Sequence, residues 1–262
     1  MRTVKSGKPA NIAECSLSEE HRVDDDTVIW RYVAIERFLD VLFGRIALTR
    51  ADLQDDRAEG AVGWPRLTIA DGAWSRLGTE RGDVRDFIER ARRRTYLSSW
   101  HERSHESEAM WFHYGGHGTK VAFVTTVGKL RKILPGVSYG RVSYCDRVTD
   151  AVRAPEQLFF FKRRPFADER EVRFVLLNER EDHDLFKEFP CDADAFLDEL
   201  YFAPDVSAHD ARTYLRVAEA IYHQRHARFR IPARRSALSA DAFDDEDLVL
   251  NGHAAKAERS IT

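Results

Sequence analysis

Apolar positions along this chain fall into short runs of two periods, near 2 and near 3.6, separated by polar stretches. Val28-Ile29-Trp30-Arg31-Tyr32-Val33 is β-branched and aromatic and predicts a strand. Phe38, Leu39, Val41, Leu42 and Phe43 then supply the apolar side of a helix over 36–43, with Gly44 placed to cap it. Ile46-Ala47-Leu48-Thr49 predicts a second strand, followed by a polar loop over 52–60. Val84, Phe87, Ile88 and Ala91 recur at helical spacing behind Asp83, a natural N-cap, so 83–94 predicts a helix leading into a strand over 95–100. Met110, Trp111 and Tyr114 share one face of a helix predicted over 106–114, which Gly115, Gly116 and Gly118 break. A strand over 121–125 and a helix over 127–133, stopped by Pro135, follow. Residues 141–145 alternate like a half-buried strand, and 158–162 fit helix or strand equally. Residues 171–177 begin alternating and end fully apolar, and 200–204 form a late strand. Tyr214, Val217, Ala218, Ile221 and Tyr222 mark the buried side of an amphipathic helix over 210–226.

Short strands mixed with helices, without regular β-α-β alternation, predict an α+β fold built on a mixed, mostly antiparallel sheet with flanking helices. Residues 1–26 read as a polar arm closing on Asp24-Asp25-Asp26, 27–232 as one α+β domain, and 233–262 as an acidic tail expected to be disordered. At 262 residues, with 43% hydrophobic and 32% charged positions, the chain has the balance of a globular protein with ample material for a core. Forty-one basic against forty-four acidic side chains give a net charge of −3, which excludes a strongly basic field for generic nucleic-acid binding. No apolar run reaches bilayer length, and the basic, polar start lacks the apolar centre of a secretory signal. Cys15, Cys145 and Cys191 are odd in number and far apart, which suits neither a disulfide framework nor a zinc spacing, so a reducing cytoplasm is the expected setting.

Several motifs carry chemistry in principle. Gly115-Gly116-His117-Gly118 lies between a helix and a strand, the wrong order for cradling a pyrophosphate. His101-Glu102-Arg103-Ser104-His105 matches the zinc-protease string, but follows directly on a predicted strand in polar surroundings, so a solvated segment is expected and no metal. The densest polar constellation spans 162–173, where Glu169, Glu171 and Arg173 alternate and are expected on one face of a strand opening. Two carboxylates beside a guanidinium form either a solvated ladder or a cleft. In a cleft, one acid stabilises developing positive charge while the other orients or deprotonates an acceptor.

Trp30-Arg31-Tyr32, Leu48-Thr49-Arg50 with the downstream Glu59, Ser98 ahead of Met110-Trp111-Phe112-His113-Tyr114, Val142-Ser143-Tyr144, Lys162 and Glu169-x-Glu171-x-Arg173 together resemble the bacterial family catalogued as domain of unknown function 2971. The chain departs from that pattern at Gln54-Asp55-Asp56, where an Asn-Asp-Pro-like turn is the rule, and at Phe166, where the family has Trp. A second resemblance carries a function: Arg31, then Ser98-Ser99, then Glu169-x-Glu171 follow the Arg–Ser–Glu order of ADP-ribosyltransferases. That resemblance implies NAD as co-substrate and a catalytic trio of Glu171 at the ribose, Ser98 holding it and Glu169 at the acceptor. Arg31 would bind the phosphates, with Tyr32, Tyr96, Trp111, Tyr114 and Arg173 completing the cofactor site. The acceptor would be a protein or nucleic acid, and the setting a bacterial defence or toxin system. The competing expectation is a non-catalytic interaction or sensor module of such a system, using Arg90 to Arg94 and the Trp111 helix as its surface. Local positive charge at Arg92-Arg93-Arg94 and along 225–235 would hold any nucleic acid as an acceptor only.

Overall fold

The computed structural model describes residues 12–16, 21–64, 66–78, 80–114, 116–181, 183–224 and 228–240. Among these, nine strands form one mixed, mostly antiparallel sheet: β1 (Val28–Ala34), β2 (Arg45–Arg50), β3 (Thr95–Glu102), β4 (Lys120–Thr126), β5 (Ser138–Arg141), β6 (Glu171–Leu177), β7 (Phe186–Pro190), β8 (Glu199–Phe202) and β9 (Ala233–Arg235). The fold is α+β, as the mixed periods predict. The path runs β7-β2-β3-β1-β4-β8-β9, and β6 pairs with both β3 and β5 off that path. β3 is the hub. One of its edges pairs with β6 over seven residues, and the other is divided between β2 at its start and β1 at its end.

Helices α1 (Ile35–Leu42), α2 (Asp71–Arg76), α3 (Val84–Arg94), α4 (Glu108–His113), α5 (Val127–Ile133), α6 (Ala193–Phe196) and α7 (Ala208–Gln224) pack around this sheet. α3 starts where its chemistry dictates: the Asp83 carboxylate accepts from the Arg85 N–H at 2.9 Å, a cap worth about 1 kcal/mol. Its Phe87, Ile88 and Ala91 then meet Leu97 of β3 and Val175 of β6 in the smaller of two apolar clusters. The larger cluster joins α1, α5 and α7 to β1, β4 and β8 through residues such as Phe38, Phe123, Leu130 and Leu215. In α7 the buried positions are Ala211, Leu215, Ala218 and Tyr222, whereas Val217, expected inside, is 42% exposed. No helix among the described residues is long and apolar enough to cross a membrane.

Both ends are more structured than the sequence suggests. Glu14-Cys15 pairs in parallel with Arg147-Val148, and Val23 is buried. Residues 233–235, expected in the disordered tail, form β9 beside β8, with Arg235 and Ser236 buried. Residues 1–11, 17–20 and 241–262 lie outside the described residues, as do 225–227 of the expected basic stretch. The strand expected over 141–145 is divided: β5 joins the main sheet, while Ser143-Tyr144 pairs in parallel with Phe161-Lys162. Residues 155–160 form a 3-10 helix.

Candidate functional site

Residues paired directly across a sheet point to the same face, so register decides which polar side chains meet. Glu171 pairs with His101, and Arg173 with Ser99. These four share one face, while Val172 and Phe174 turn to the other with Trp100 and Ser98. The alternation expected from Glu169 to Arg173 holds only from Glu171 onward. Glu169 ends a 3-10 turn (Arg164–Glu169), and Arg170 follows in the left-handed conformation, φ 48° and ψ 52°. That turn nevertheless returns Glu169 to the same place. Lys162 Nζ donates to Glu169 at 2.5 Å and to Glu171 at 2.7 Å.

Arg173 organises the deeper half. Its Nε donates to Glu171 at 2.5 Å, and its two terminal nitrogens reach Glu59 at 2.6 and 2.9 Å. A further bond goes to the Phe159 carbonyl at 2.7 Å. The side chains of Glu59, Glu171 and Arg173 are each 2% exposed. Glu59 comes from the loop between β2 and α2, which tightens on itself: the Asp56 carbonyl accepts from the Glu59 N–H at 2.9 Å. Gly60, at φ 70°, closes the turn where a Cβ would meet the Phe159 ring at 3.0 Å. Behind Glu171, the Tyr144 hydroxyl accepts from the Glu171 N–H at 2.8 Å, and Tyr144 pairs across its short strand with Lys162.

Glu59, Lys162, Glu169, Glu171 and Arg173 line a cavity of about 490 Å³ together with Asp55, Asp56, Ser99, His113, Tyr114, Phe166 and Asp168. Lys162 sits 4.6 Å from the Phe166 ring centroid, a cation–π contact. Burial would raise the Glu171 carboxyl, but the Arg173 guanidinium and the Lys162 ammonium hold it well below the usual range. Burial would likewise lower Arg173, yet Glu171 and Glu59 hold it well above. Glu169 goes the other way: burial, then a hydrogen bond to Glu171 and the charge of that neighbour, lift its carboxyl to about 7. Burial pushes the Tyr114 and Tyr144 hydroxyls up, with Glu171 adding to both. His101, 1% exposed, is pushed down to about 4 by burial and is neutral at pH 7. The cavity therefore holds a fixed carboxylate, a carboxyl poised near neutrality and two permanently charged cations. The division of two adjacent acids into one ionised and one titrating group is the pattern of acid–base sites.

The expected site residues divide. Glu171, Glu169, Arg173 and Tyr114 line the cavity. Ser98 does not; its neighbour Ser99 does, and the Ser98 hydroxyl accepts from Trp100 Nε1 at 2.9 Å on the opposite face. Arg31 lies on that opposite face too, because Trp30 pairs with His101 and Arg31 with Phe123. Its guanidinium is 5.8 Å from the Trp100 ring centroid, and burial, then Arg37, lower it to about 10. Tyr96 is fully buried on the Trp100 face, with its hydroxyl on the Asp184 carbonyl at 2.9 Å. Tyr32 and Trp111 pack edge to face at 4.8 Å in the core, and Trp111 Nε1 donates to Glu106 at 2.8 Å. Neither is available for stacking, nor is Trp111 part of a docking surface. The zinc-protease string fails on geometry: His101 belongs to β3 and His105 to an exposed loop, so no helix presents both. Sequence reasoning left Glu59, Lys162 and Tyr144 without a chemical role and named Ser98, where it is Ser99 that lines the cavity.

No family model matches the chain, and no curated protein or solved structure matches it either.

Proposed function

We propose that the cavity is a catalytic site for glycosyl transfer from an N-ribosyl donor, with NAD the donor to test first. The observation that carries this is the pair of acids on the cavity wall, Glu171 held ionised and Glu169 held near neutrality. Both Glu171 oxygens accept from cations, Lys162 on one and Arg173 on the other, and Glu169 bonds the same carboxylate, so Glu171 acts through its charge and not as a nucleophile. Facing the anomeric carbon, that charge favours the oxocarbenium-like state as the C–N bond breaks and its electron pair leaves with nicotinamide. An acceptor O–H or N–H then adds to the anomeric carbon and delivers its proton to ionised Glu169. This is the ADP-ribosyltransferase-like expectation reduced to its acids, without roles for Arg31 and Ser98. Membership of the domain of unknown function 2971 family belongs to the same proposal and rests on the sequence motifs.

A second reading has its own support. Glu59, Arg173 and Glu171 satisfy one another while almost fully buried, as a clip tying the 51–60 loop to β6 in a non-catalytic interaction module would. The test is nicotinamide release from NAD by the wild-type protein, Glu171→Gln and Glu169→Gln, with circular dichroism checking the fold of each. Turnover lost in both folded variants supports the enzyme. Absence of turnover in wild type, or equal turnover in all three, supports the clip.

A further inference from the structure

Beyond the cavity, an open groove of about 700 Å³ carries the opposite charge. Arg57, Arg66, Arg147 and Arg163 line it around Trp64, and Asp146 is the one carboxylate among its described lining residues. Trp64 is 48% exposed, unlike the buried Trp30, Trp74, Trp100 and Trp111. Arg57 and Arg66 are exposed and make no ion pair among the described residues. Arg147 reaches Glu14 only at 3.5 Å, with 41% of its side chain exposed. Arg163 bonds Asp56 at 2.8 Å while half exposed. Asp146 is partly neutralised by the Ala13 N–H at 3.1 Å and by Arg164 at 3.7 Å.

The groove is continuous with the catalytic cavity: Pro165 lines both. A hollow of about 560 Å³ between them shares Arg57, Ala58 and Arg163 with the groove and Asp55, Asp56 and Phe166 with the cavity. Of the basic residues expected from sequence, Arg92, Arg93 and Arg94 are committed elsewhere. Arg92 donates to the Arg57 carbonyl, Arg93 pairs with Glu181, and Arg94 bonds the Asn178 and Glu179 carbonyls.

We propose that this groove docks a single-stranded nucleic acid as the acceptor, with phosphates on the arginines and a base stacked on Trp64, so that the adjoining nucleotide enters the cavity. Guanidinium groups around an exposed indole are the two elements that single strands use, charge tracking the backbone and a π-face taking bases. The groove's openness suits a polymer that runs along it, whereas small-molecule sites enclose their ligand. The proposal uses the catalytic reading only to name the cavity as the reacting end.

The test is fluorescence anisotropy of the full chain with a labelled single-stranded oligothymidylate of about a dozen nucleotides, across a salt series. Four phosphate contacts give log K a slope against log[salt] of about −3. Arg66→Glu/Arg147→Glu and Trp64→Ala each weaken binding about tenfold or more, while Arg216→Glu, an exposed position of α7 that lines neither groove nor cavity, binds as wild type. Absence of binding, equal affinity of the arginine variant, or competition as strong by free NAD or heparin overturns the proposal. Binding without any nicotinamide release would leave the groove standing and remove the catalytic reading. Nicotinamide release without oligonucleotide binding would do the reverse.

Discussion

Glu59→Gln is the sharpest perturbation of the buried network. It keeps the volume and one acceptor but removes the charge that both terminal nitrogens of Arg173 contact, at 2.6 and 2.9 Å. Arg173 is then left with Glu171 and one carbonyl, in a setting where neither original partner is more than 2% exposed. Removing one partner of a buried ion pair costs about 3–5 kcal/mol, because the surviving charge has no water to return to. For a domain of this size each kcal/mol shifts the midpoint by about 2–4 °C, so melting falls by roughly 6–20 °C. Urea denaturation of wild type, Glu59→Gln, Arg173→Met and the double variant completes a cycle. The expected coupling is at least about 1 kcal/mol, with the double variant less damaged than the singles suggest when added. A loss for Glu59→Gln below about 1 kcal/mol, the value of an exposed pair, would refute the account of the network as a desolvated one.

The proposed base gives a pH signature: kcat/KM rises as Glu169 ionises through pH about 7, and Glu169→Gln abolishes that limb. Because burial lifts Glu169 above its unfolded value, its contribution to stability is present below the unfolded value and lost as pH rises through about 7. His101 has the opposite sign: with its pKa depressed to about 4, its contribution is present above 6.5 and lost as pH falls through about 4, readable in urea midpoints. Ser98→Ala strands the buried Trp100 N–H and is expected to cost about 1–3 kcal/mol while leaving turnover unchanged; a large loss of turnover at full stability would restore Ser98 to the site. Trp111→Ala is expected to cost about 3–5 kcal/mol by opening the contact with Tyr32, and a near-neutral melting curve would contradict its core placement.

Where apolar side chains alternate strongly, sequence and structure agree: β1, β4 and β6 are β-branched runs whose burial demands a sheet. β7 escaped because Phe186-Lys187-Glu188-Phe189-Pro190 carries only two large apolar residues and a proline, tolerable at the sheet edge where it lies. α2 is too short to show a period. The site was half legible. Glu171 and Arg173 follow from strand alternation, but Ser98 and Ser99 differ by a single step of the pleat, which only the register with β6 resolves. The pairing of Glu59 with Arg173 could not be read, because the two are 114 residues apart. Glu169 reaches its expected neighbours from the end of a 3-10 turn and not along a strand, since the left-handed Arg170 separates it from β6.

The 114-residue span between Glu59 and Arg173 also fixes when the chain becomes competent. At ribosomal rates of about 5–20 residues per second, Glu59 waits roughly 6–23 s during synthesis for its guanidinium. β3 waits similarly for β6, so the cavity wall is assembled late and as a unit. A product ending before β6 lacks both Glu171 and Arg173, and its Glu59 has no guanidinium to meet. Until residues 171–177 have emerged, the 51–60 loop and the open edge of β3 wait without the strand that pairs with them.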